Sequence, residues 1–314
     1  MTNSSGRAAV RNMSKISQVL FEQGLRADKR FSQNFLVNQG ALETIVSLSV
    51  TNPSTAVVEI GAGLGNLTEL LAQAAAHVTS VELDRNFQPI HERYLSPYKN
   101  LRFVYGDFLQ QEMSRLFEQA HEGDARVVVG NIPYSITAKI LIKLLEEHEH
   151  FDRAYILMQK EVGERLRAPA GSKEYSVLAA KMRCAFAAHA RLKITGRSFA
   201  PPPKVDSVLM EFIKRPNPLP IDVADRDAFF SMLDAAFGQR RKTLANSLSH
   251  SSGGVWTRDG IASILAQAGV SASIRAEELE IESFWDLFQR FRGELGPADF
   301  LIHRGEKSLK ERAR

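Results

Sequence analysis

The chain holds a single cysteine, Cys184, in 314 residues. One thiol closes no internal disulfide and cannot build a Cys-rich zinc site. With Met182 and Phe186 beside it, the expectation is a buried, inert side chain. A run of 18 uncharged apolar residues is also missing, which argues against a membrane-spanning helix. The opening stretch "MTNSSGRAAVRNMSK" carries Arg7, Arg11 and Lys15 but no apolar signal core. These absences lead to the expectation of a cytoplasmic, reducing location without membrane contact. Net charge is small as well: 40 Lys and Arg against 36 Asp and Glu give +4 and a pI near 9.1, which admits a polyanionic partner without requiring one.

What is present is an ordinary globular composition, 44% hydrophobic and 24% charged, at a length that suggests two domains. The stretches "AVVEI" (56–60), "HVTSVEL" (77–83), "LRFVY" (101–105), "RVVVG" (126–130), "RAYILMQ" (153–159), "ARLKI" (190–194) and "SVLMEFI" (207–213) read as strands. Between the first five lie "LTELLAQAAA", "FQPIHERYL", "MSRLFEQA" and "TAKILIKLLEEH", with the spacing of amphipathic helices. That alternation requires right-handed crossovers. The expected fold class is therefore α/β, a doubly wound, mostly parallel seven-stranded sheet covered on both faces. The strand signal stops at the Pro-rich "KRPNPLP" (214–220), read as a linker. Beyond it, "DAFFSMLDAAFGQRRKTLANSL", "GIASILAQAG" and "SFWDLFQRFRGEL" read as helices of a smaller α-helical domain. The expected domains are an N-terminal extension and helix (1–28), the α/β domain (29–213), the linker (214–220), the helical domain (221–296) and a basic tail (297–314).

Chemistry concentrates where expected strands end. "EIGAGLGNLTELL" (59–71) places Gly61, Gly63 and Gly65 between a strand and a helix, where backbone N–H groups can approach a ligand closely. Glycines at such a turn can also be purely conformational. A dinucleotide fingerprint would need a third glycine at position 66, which is Asn66. The compact G-x-G-x-G with Glu59 in front is instead similar to the cofactor loop of S-adenosylmethionine-dependent methyltransferases, whose cofactor has no pyrophosphate, so carboxylates can sit near it. Glu82, closing the second strand, is placed to accept from ribose hydroxyls, unless it is merely solvated. Asp107 is placed for the adenine amine with Phe108 beside the ring, a helix N-cap being its competing role.

"GNIPYSIT" (130–137) follows the valine run of the fourth strand. An aromatic exocyclic amine such as adenine N6 is a poor nucleophile because its lone pair is delocalised into the ring. The Asn131 side-chain oxygen and the Ile132 carbonyl can accept from its two hydrogens and aim the lone pair at a methyl group. Pro133 fixes the backbone that presents them. Tyr134 offers a face for a base taken out of its stack. A turn with structural Asn, Pro and Tyr is the plain alternative, and N-x-P-Y is shared by enzymes that methylate DNA adenine, RNA adenine and glutamine amides. No metal ligand set is apparent.

With "RFSQNFL" (30–36), "EIGAGLGNLT" (59–68), "VELDR" (81–85), "GDFL" (106–109), "GNIPYSIT" (130–137), "LMQKEVGERL" (157–166), "FAPPPKVDS" (199–207) and "FGQRRKTLANSL" (237–248) in order, the chain resembles the ribosomal RNA adenine N6,N6-dimethyltransferases, above all the bacterial small-subunit enzymes. The resemblance runs from about Lys29 to Leu248 and more loosely to Phe291. It implies a Rossmann-like class I methyltransferase domain using S-adenosyl-L-methionine, a monomer acting on small-subunit ribosomal RNA in a maturing subunit. It implies that Asn34 and Leu36 line the cofactor, and that Phe199 faces Tyr134 across the target adenine; a core aromatic is the plainer role for Phe199. Arg240, Arg241 and Lys242 form a cationic cluster suited to RNA phosphates, or a solvated charge run. The family usually has Gly where this chain has Ser32, and N-I-S-T where it has Ser135, Ile136, Thr137 and Ala138, so the loop after Tyr134 is where geometry is expected to differ. Two alternatives stand beside this reading: a large-subunit adenine methyltransferase conferring antibiotic resistance, and a ribosome assembly factor acting mainly by binding.

Overall fold

The structure is a computed structural model in which residues 34–252 and 255–295 are described. The N-terminal extension, Ser32 and the basic tail lie outside the described residues. Two compact units emerge: the chain up to Gly163 together with Ala187–Lys214, and Glu164–Phe186 together with the chain from Arg215 onward. The segment 164–186, expected within the α/β domain, thus packs with the second unit.

The strands are β1 (Phe35–Leu36), β2 (Ala56–Ile60), β3 (His77–Glu82), β4 (Leu101–Tyr105), β5 (Arg126–Asn131), β6 (Arg153–Gln159), β7 (Phe186–Ile194), β8 (Phe199–Ala200) and β9 (Ser207–Lys214). Seven of them form one sheet in the order β4-β3-β2-β5-β6-β9-β7, with β2 to β6 parallel and β9 antiparallel to β6. Val57, Val58 and Val127 to Val129 are buried in its central strands, where β-branched side chains pack best. The chain leaves β2 toward β3 and β4 on one side and returns to β5 on the other. The strand order therefore reverses between β2 and β5, and a crevice opens at their C-terminal ends. Pairing of Ile60 with Gly130 brings the residues that follow β2 next to the end of β5.

Helices of this unit include α1 (Gln39–Ser49), α2 (Asn66–Ala74), α3 (Gln88–Leu95), α4 (Met113–Leu116) and α5 (Thr137–Glu146). The Asn38 side chain caps α1 by accepting from the Ala41 N–H at 2.9 Å. Strands β1 and β8 form a separate antiparallel ribbon, Phe35 opposite Ala200 and Leu36 opposite Phe199. Two-residue strands carry no periodicity, and the sequence reading missed both. It also started β7 four residues late, at Ala190 rather than Phe186.

After β6 comes α6 (Lys160–Arg167), followed by α7 (Val177–Met182) in the second unit. That unit continues with α8 (Val223–Phe237), α9 (Leu244–Ser251), α10 (Arg258–Gln267) and α11 (Ile281–Leu295). The long helical stretch expected from Asp227 to Leu248 is split, because Thr243 caps a new helix by accepting from the Asn246 N–H. Its core is aromatic: Phe229 meets Trp285 edge-on at 5.1 Å, and Trp256 lies 5.3 Å from Phe291. Cys184 is buried, its thiol pushed up to about 12 by desolvation. The expected linker is no loose tether: Arg215 N–H donates to the Ala185 carbonyl and Leu219 N–H to the Cys184 carbonyl. Proline there ends the strand, and the backbone left over is bonded inside the second unit.

Gly163 shows packing overriding helix propensity. It sits within α6, where Ala would ordinarily add about 0.5–1 kcal/mol. A Cβ there would lie 2.5 Å from Val208 Cγ1 and 3.0 Å from Met210 Sδ, both on β9. Val208 is buried and stiff at χ1, so it cannot swing aside. We expect Gly163→Ala to destabilise the protein by about 1–3 kcal/mol in urea denaturation, the usual range for overpacking. An unchanged or raised midpoint contradicts this packing.

Candidate functional site

The glycine loop between β2 and α2 is built by constraint at each peptide. Gly63 adopts φ +54°, and a Cβ there would come 3.1 Å from Phe35 Cδ1. Its N–H donates to Glu82 Oε2 at 2.7 Å, while Asp84 N–H donates to Glu82 Oε1 at 2.8 Å. Both oxygens of the β3 carboxylate are thus held at the crevice. Burial raises the Glu82 pKa, opposed by those two N–H donors. Gly65, at φ +83°, occupies the N-cap of α2, where a Cβ would fall 2.6 Å from Leu95 Cδ1. Beside it, His91 of α3 lies buried, with Nε2 2.8 Å from the Gly63 carbonyl and Nδ1 2.9 Å from the Tyr105 hydroxyl. A carbonyl only accepts, so Nε2 carries the proton and Nδ1 accepts from Tyr105. Desolvation lowers the His91 pKa to about 4, so the ring is neutral near pH 7.

Asn131 ends β5 and turns into the segment 132–134. Its side-chain Nδ2 donates to the Asn34 carbonyl at 3.3 Å. This pins the amine end of the amide and turns Oδ1 the other way. Tyr134 opens a short 3-10 turn (Tyr134–Ile136), and its hydroxyl shares a 2.8 Å hydrogen bond with Ser207 Oγ at the start of β9. Burial raises the Tyr134 pKa, opposed by that bond. Asp107 takes the competing role foreseen for it with one oxygen, accepting from the Leu109 N–H at 2.9 Å. Its other oxygen is not used by the cap.

These groups line one cavity enclosing about 1160 Å³ of empty space, part of it open to solvent. Asn34, Leu36, Gly61, Gly63, Glu82, Asp107, Phe108, Asn131, Ile132, Pro133 and Tyr134 all belong to its wall. So does Asn66, the residue that replaces a fingerprint glycine, whose Nδ2 donates to the Leu36 carbonyl at 3.1 Å and ties β1 to the loop. Among the described residues, the wall carries the carboxylates of Glu82, Asp84 and Asp107 and no Lys, Arg or His. Such a donor set disfavours a pyrophosphate and suits a ligand bearing hydroxyls, an exocyclic amine and positive charge.

Two expectations need correction. Glu59 does not line the cavity; its side chain is fully buried beneath the loop, where Oε2 accepts from Thr68 of α2 and Ser80 of β3, both at 2.6 Å. The ring of Phe199 is 1% exposed and packs in the core with Leu36 and Leu209, so it offers no open face to a base. Tethering of β8 to β1 draws it inward. In the second unit, Arg240, Arg241 and Lys242 are all exposed, and Arg240 also pairs with Glu277 at 2.8 Å and with the Lys173 carbonyl. His91, Tyr105, Asn66 and Ser207 were not anticipated. The first had a signal: Phe87, Ile90, His91 and Leu95 share helical spacing, so a histidine stood at a core position of an amphipathic helix.

Comparison with known proteins bears on the fold and the chemistry together. The family described as "Ribosomal RNA adenine dimethylase" matches residues 24–292. Ribosomal RNA small subunit methyltransferase A of Bacillus mycoides (strain KBAB4) is 36% identical over 272 residues, covering 86% of this chain and 93% of the relative. Among solved structures, a dimethyladenosine transferase from Plasmodium falciparum is 26% identical with a TM-score of 0.66, covering 83% of this chain and 98% of that one. The 23S rRNA methyltransferase ErmE is 29% identical with a TM-score of 0.59, covering 82% and 99%.

The buried Glu59 generates a test of its own. Burial raises its pKa from 4.5 to about 7, against the opposing hydrogen bonds from Ser80 and Thr68. The folded state therefore holds this proton more tightly than the unfolded chain does. Stability from Glu59 is fully present below pH 4.5 and is lost as pH rises through about 7. We expect the wild type to lose stability relative to Glu59→Gln across that window and to run parallel to it above. A stability difference that stays flat from pH 4.5 to 7 contradicts the assignment.

Proposed function

Because this chain belongs to the ribosomal RNA adenine dimethylase family, we propose that it dimethylates the N6 amine of adenines, two adjacent ones, in small-subunit ribosomal RNA. The donor is S-adenosyl-L-methionine, which supplies an activated methyl group on a sulfonium centre. The residues lining the cavity fit it: Glu82 would accept from the ribose hydroxyls, Asp107 from the adenine amine with Phe108 beside the ring, and Gly61 and Gly63 would let the backbone approach. Asn34 and Leu36 close the same wall. The three carboxylates of that wall suit the positive charge of the sulfonium.

The observation that carries the reading is the polarity of Asn131. With Nδ2 spent on the Asn34 carbonyl, Oδ1 is the end left for the target amine. Oδ1 and the Ile132 carbonyl accept the N6 hydrogens and draw the nitrogen toward tetrahedral geometry, its lone pair toward the methyl group. Pro133, at φ −58°, holds this backbone in place. The hydroxyl tether to Ser207 fixes the plane of Tyr134 so that its face takes the flipped base. No side chain in this scheme acts as a strong base; as the N–CH3 bond forms the donor's S–CH3 bond would break to leave a neutral thioether, and the proton that the now cationic N6 sheds would pass to solvent water.

The RNA is taken to be that of a maturing small subunit, bound by a monomer in the cytoplasm, with Arg241 and Lys242 contributing phosphate contacts in the second unit. Likeness to ErmE favours, as a second reading, adenine methylation of large-subunit RNA. Labelling undermodified small and large subunits with radioactive donor and mapping the modified nucleotides separates the two: label confined to large subunits rejects the first.

Asn131→Ala should lower the single-turnover rate by at least ~100-fold, a modest share of what orientation contributes. Tyr134→Phe should be milder, whereas Tyr134→Ala should cost about 1–3 kcal/mol, the range for base stacking. A wild-type rate in Asn131→Ala with an inactive Tyr134→Phe would transfer the orienting role to the phenol. Glu82→Ala should weaken cofactor binding by roughly 1–3 kcal/mol in calorimetry, and unchanged affinity in the folded variant removes Glu82 from the ribose site. Finally, Arg241→Ala with Lys242→Ala should flatten the salt dependence of subunit binding and leave cofactor affinity alone. If the salt slope does not change, these two side chains are a solvated surface.

A further inference from the structure

His91 touches nothing in the cavity, yet every bond it makes leads there. Its Nε2–H holds the Gly63 carbonyl at 2.8 Å, and Glu82 Oε2 holds the Gly63 N–H at 2.7 Å. The two peptide groups of Gly63 are thus clamped from opposite sides, one by α3 and one by the end of β3. On its other edge, Nδ1 takes the Tyr105 hydroxyl proton at 2.9 Å. Tyr105 is the last residue of β4, and the next N–H, that of Gly106, donates to the Glu82 carbonyl at 2.8 Å. Asp107 follows directly. The imidazole is stacked on Phe103 with centroids 4.3 Å apart and planes 5° from parallel, so it cannot rotate away from either partner. A leucine would fill a buried, aromatic-lined site on an amphipathic helix at least as well as far as burial alone is concerned. What leucine cannot do is donate to one strand end and accept from another.

We propose that His91 is a positioning residue for the cofactor: by bridging the Gly63 carbonyl to Tyr105 it fixes the glycine loop relative to Glu82 and Asp107, and so sets the spacing between ribose and adenine recognition. This inference rests on the reading that the cavity holds S-adenosylmethionine. The role is binding geometry and not chemistry, because His91 stands behind the wall and is not among the residues that line the cavity.

The test uses the full chain with S-adenosylhomocysteine as probe in calorimetry, thermal melting without ligand, and single-turnover methylation at saturating donor. His91→Leu keeps the packing and removes both hydrogen bonds; we expect its dissociation constant to rise ~10-fold, which corresponds to about 1.4 kcal/mol, with the saturated rate close to wild type. His91→Gln places an N–H near the former Nε2 position and should recover most of the affinity. Unchanged affinity in His91→Leu overturns the proposal. So does equal weakening of the Leu and Gln variants in step with lower melting temperatures, since that marks a role in packing alone. If His91→Leu does not fold, Tyr105→Phe carries the test: loss of one O–H should raise the dissociation constant about 3-fold, within what a single hydrogen bond contributes, and an unaltered constant overturns the proposal. Wild-type protein that binds no S-adenosylhomocysteine at all rejects the cofactor reading itself, a different result from a wild type that binds and variants that do not differ from it.

Discussion

Parallel pairing of β2 with β5 is the constraint on which the rest of the candidate site depends. Each strand is a short apolar run with no chemistry of its own. Their register, with Ile60 opposite Gly130, sets the loop that follows β2 beside the end of β5. Gly61 and Asn131 become neighbours across that seam: a Cβ on Gly61 would stand 3.5 Å from the Asn131 carbonyl oxygen. A slip of one residue would carry Asn131 away from the loop. Hydrophobic burial along the strands, which is non-directional, is converted by the register into a fixed distance between a donor loop and an acceptor amide.

Electrostatics at this crevice is dominated by acids. Among the described residues the wall gathers three carboxylates, while burial raises the Glu82 pKa and two backbone N–H groups compensate. Beneath it, Glu59 is so thoroughly desolvated that its pKa rises to about 7 despite two hydroxyl donors. The two acids have different jobs because their surroundings differ: one faces the ligand space, the other braces α2 against β3 through Thr68 and Ser80.

How much of this was legible in the sequence follows the range of each interaction. The parallel strands were legible because valine runs bounded by turns are a local signal, and β2, β4 and β6 begin and end where the pattern placed them. Gly63, Glu82, Asp107 and Asn131 were legible because strand ends concentrate function in α/β sheets. Phe199 was not, since its burial is decided by pairing with Leu36, a contact across more than 160 positions that no local pattern encodes. Glu59 was drawn into the ligand set by its place next to the glycines, although its carboxylate is buried beneath the loop and bonded to Thr68 and Ser80. The charge run Arg240 to Lys242 read as uniform, and only the fold shows one of the three spent on Glu277.

The bond from Asn131 to the Asn34 carbonyl joins residues 97 positions apart, and its acceptor belongs to a segment held by the two-residue ribbon of β1 and β8. Such a ribbon has few backbone bonds and opens at lower free energy than the seven-stranded sheet it adjoins. The amide proposed to orient the amine is therefore anchored to one of the weaker cooperative units of the molecule. During folding, a contact of such long sequence separation forms only after the sheet has brought its ends together. Competence for chemistry is then acquired late in folding and surrendered early on heating, at temperatures where the central strands are still protected from hydrogen exchange.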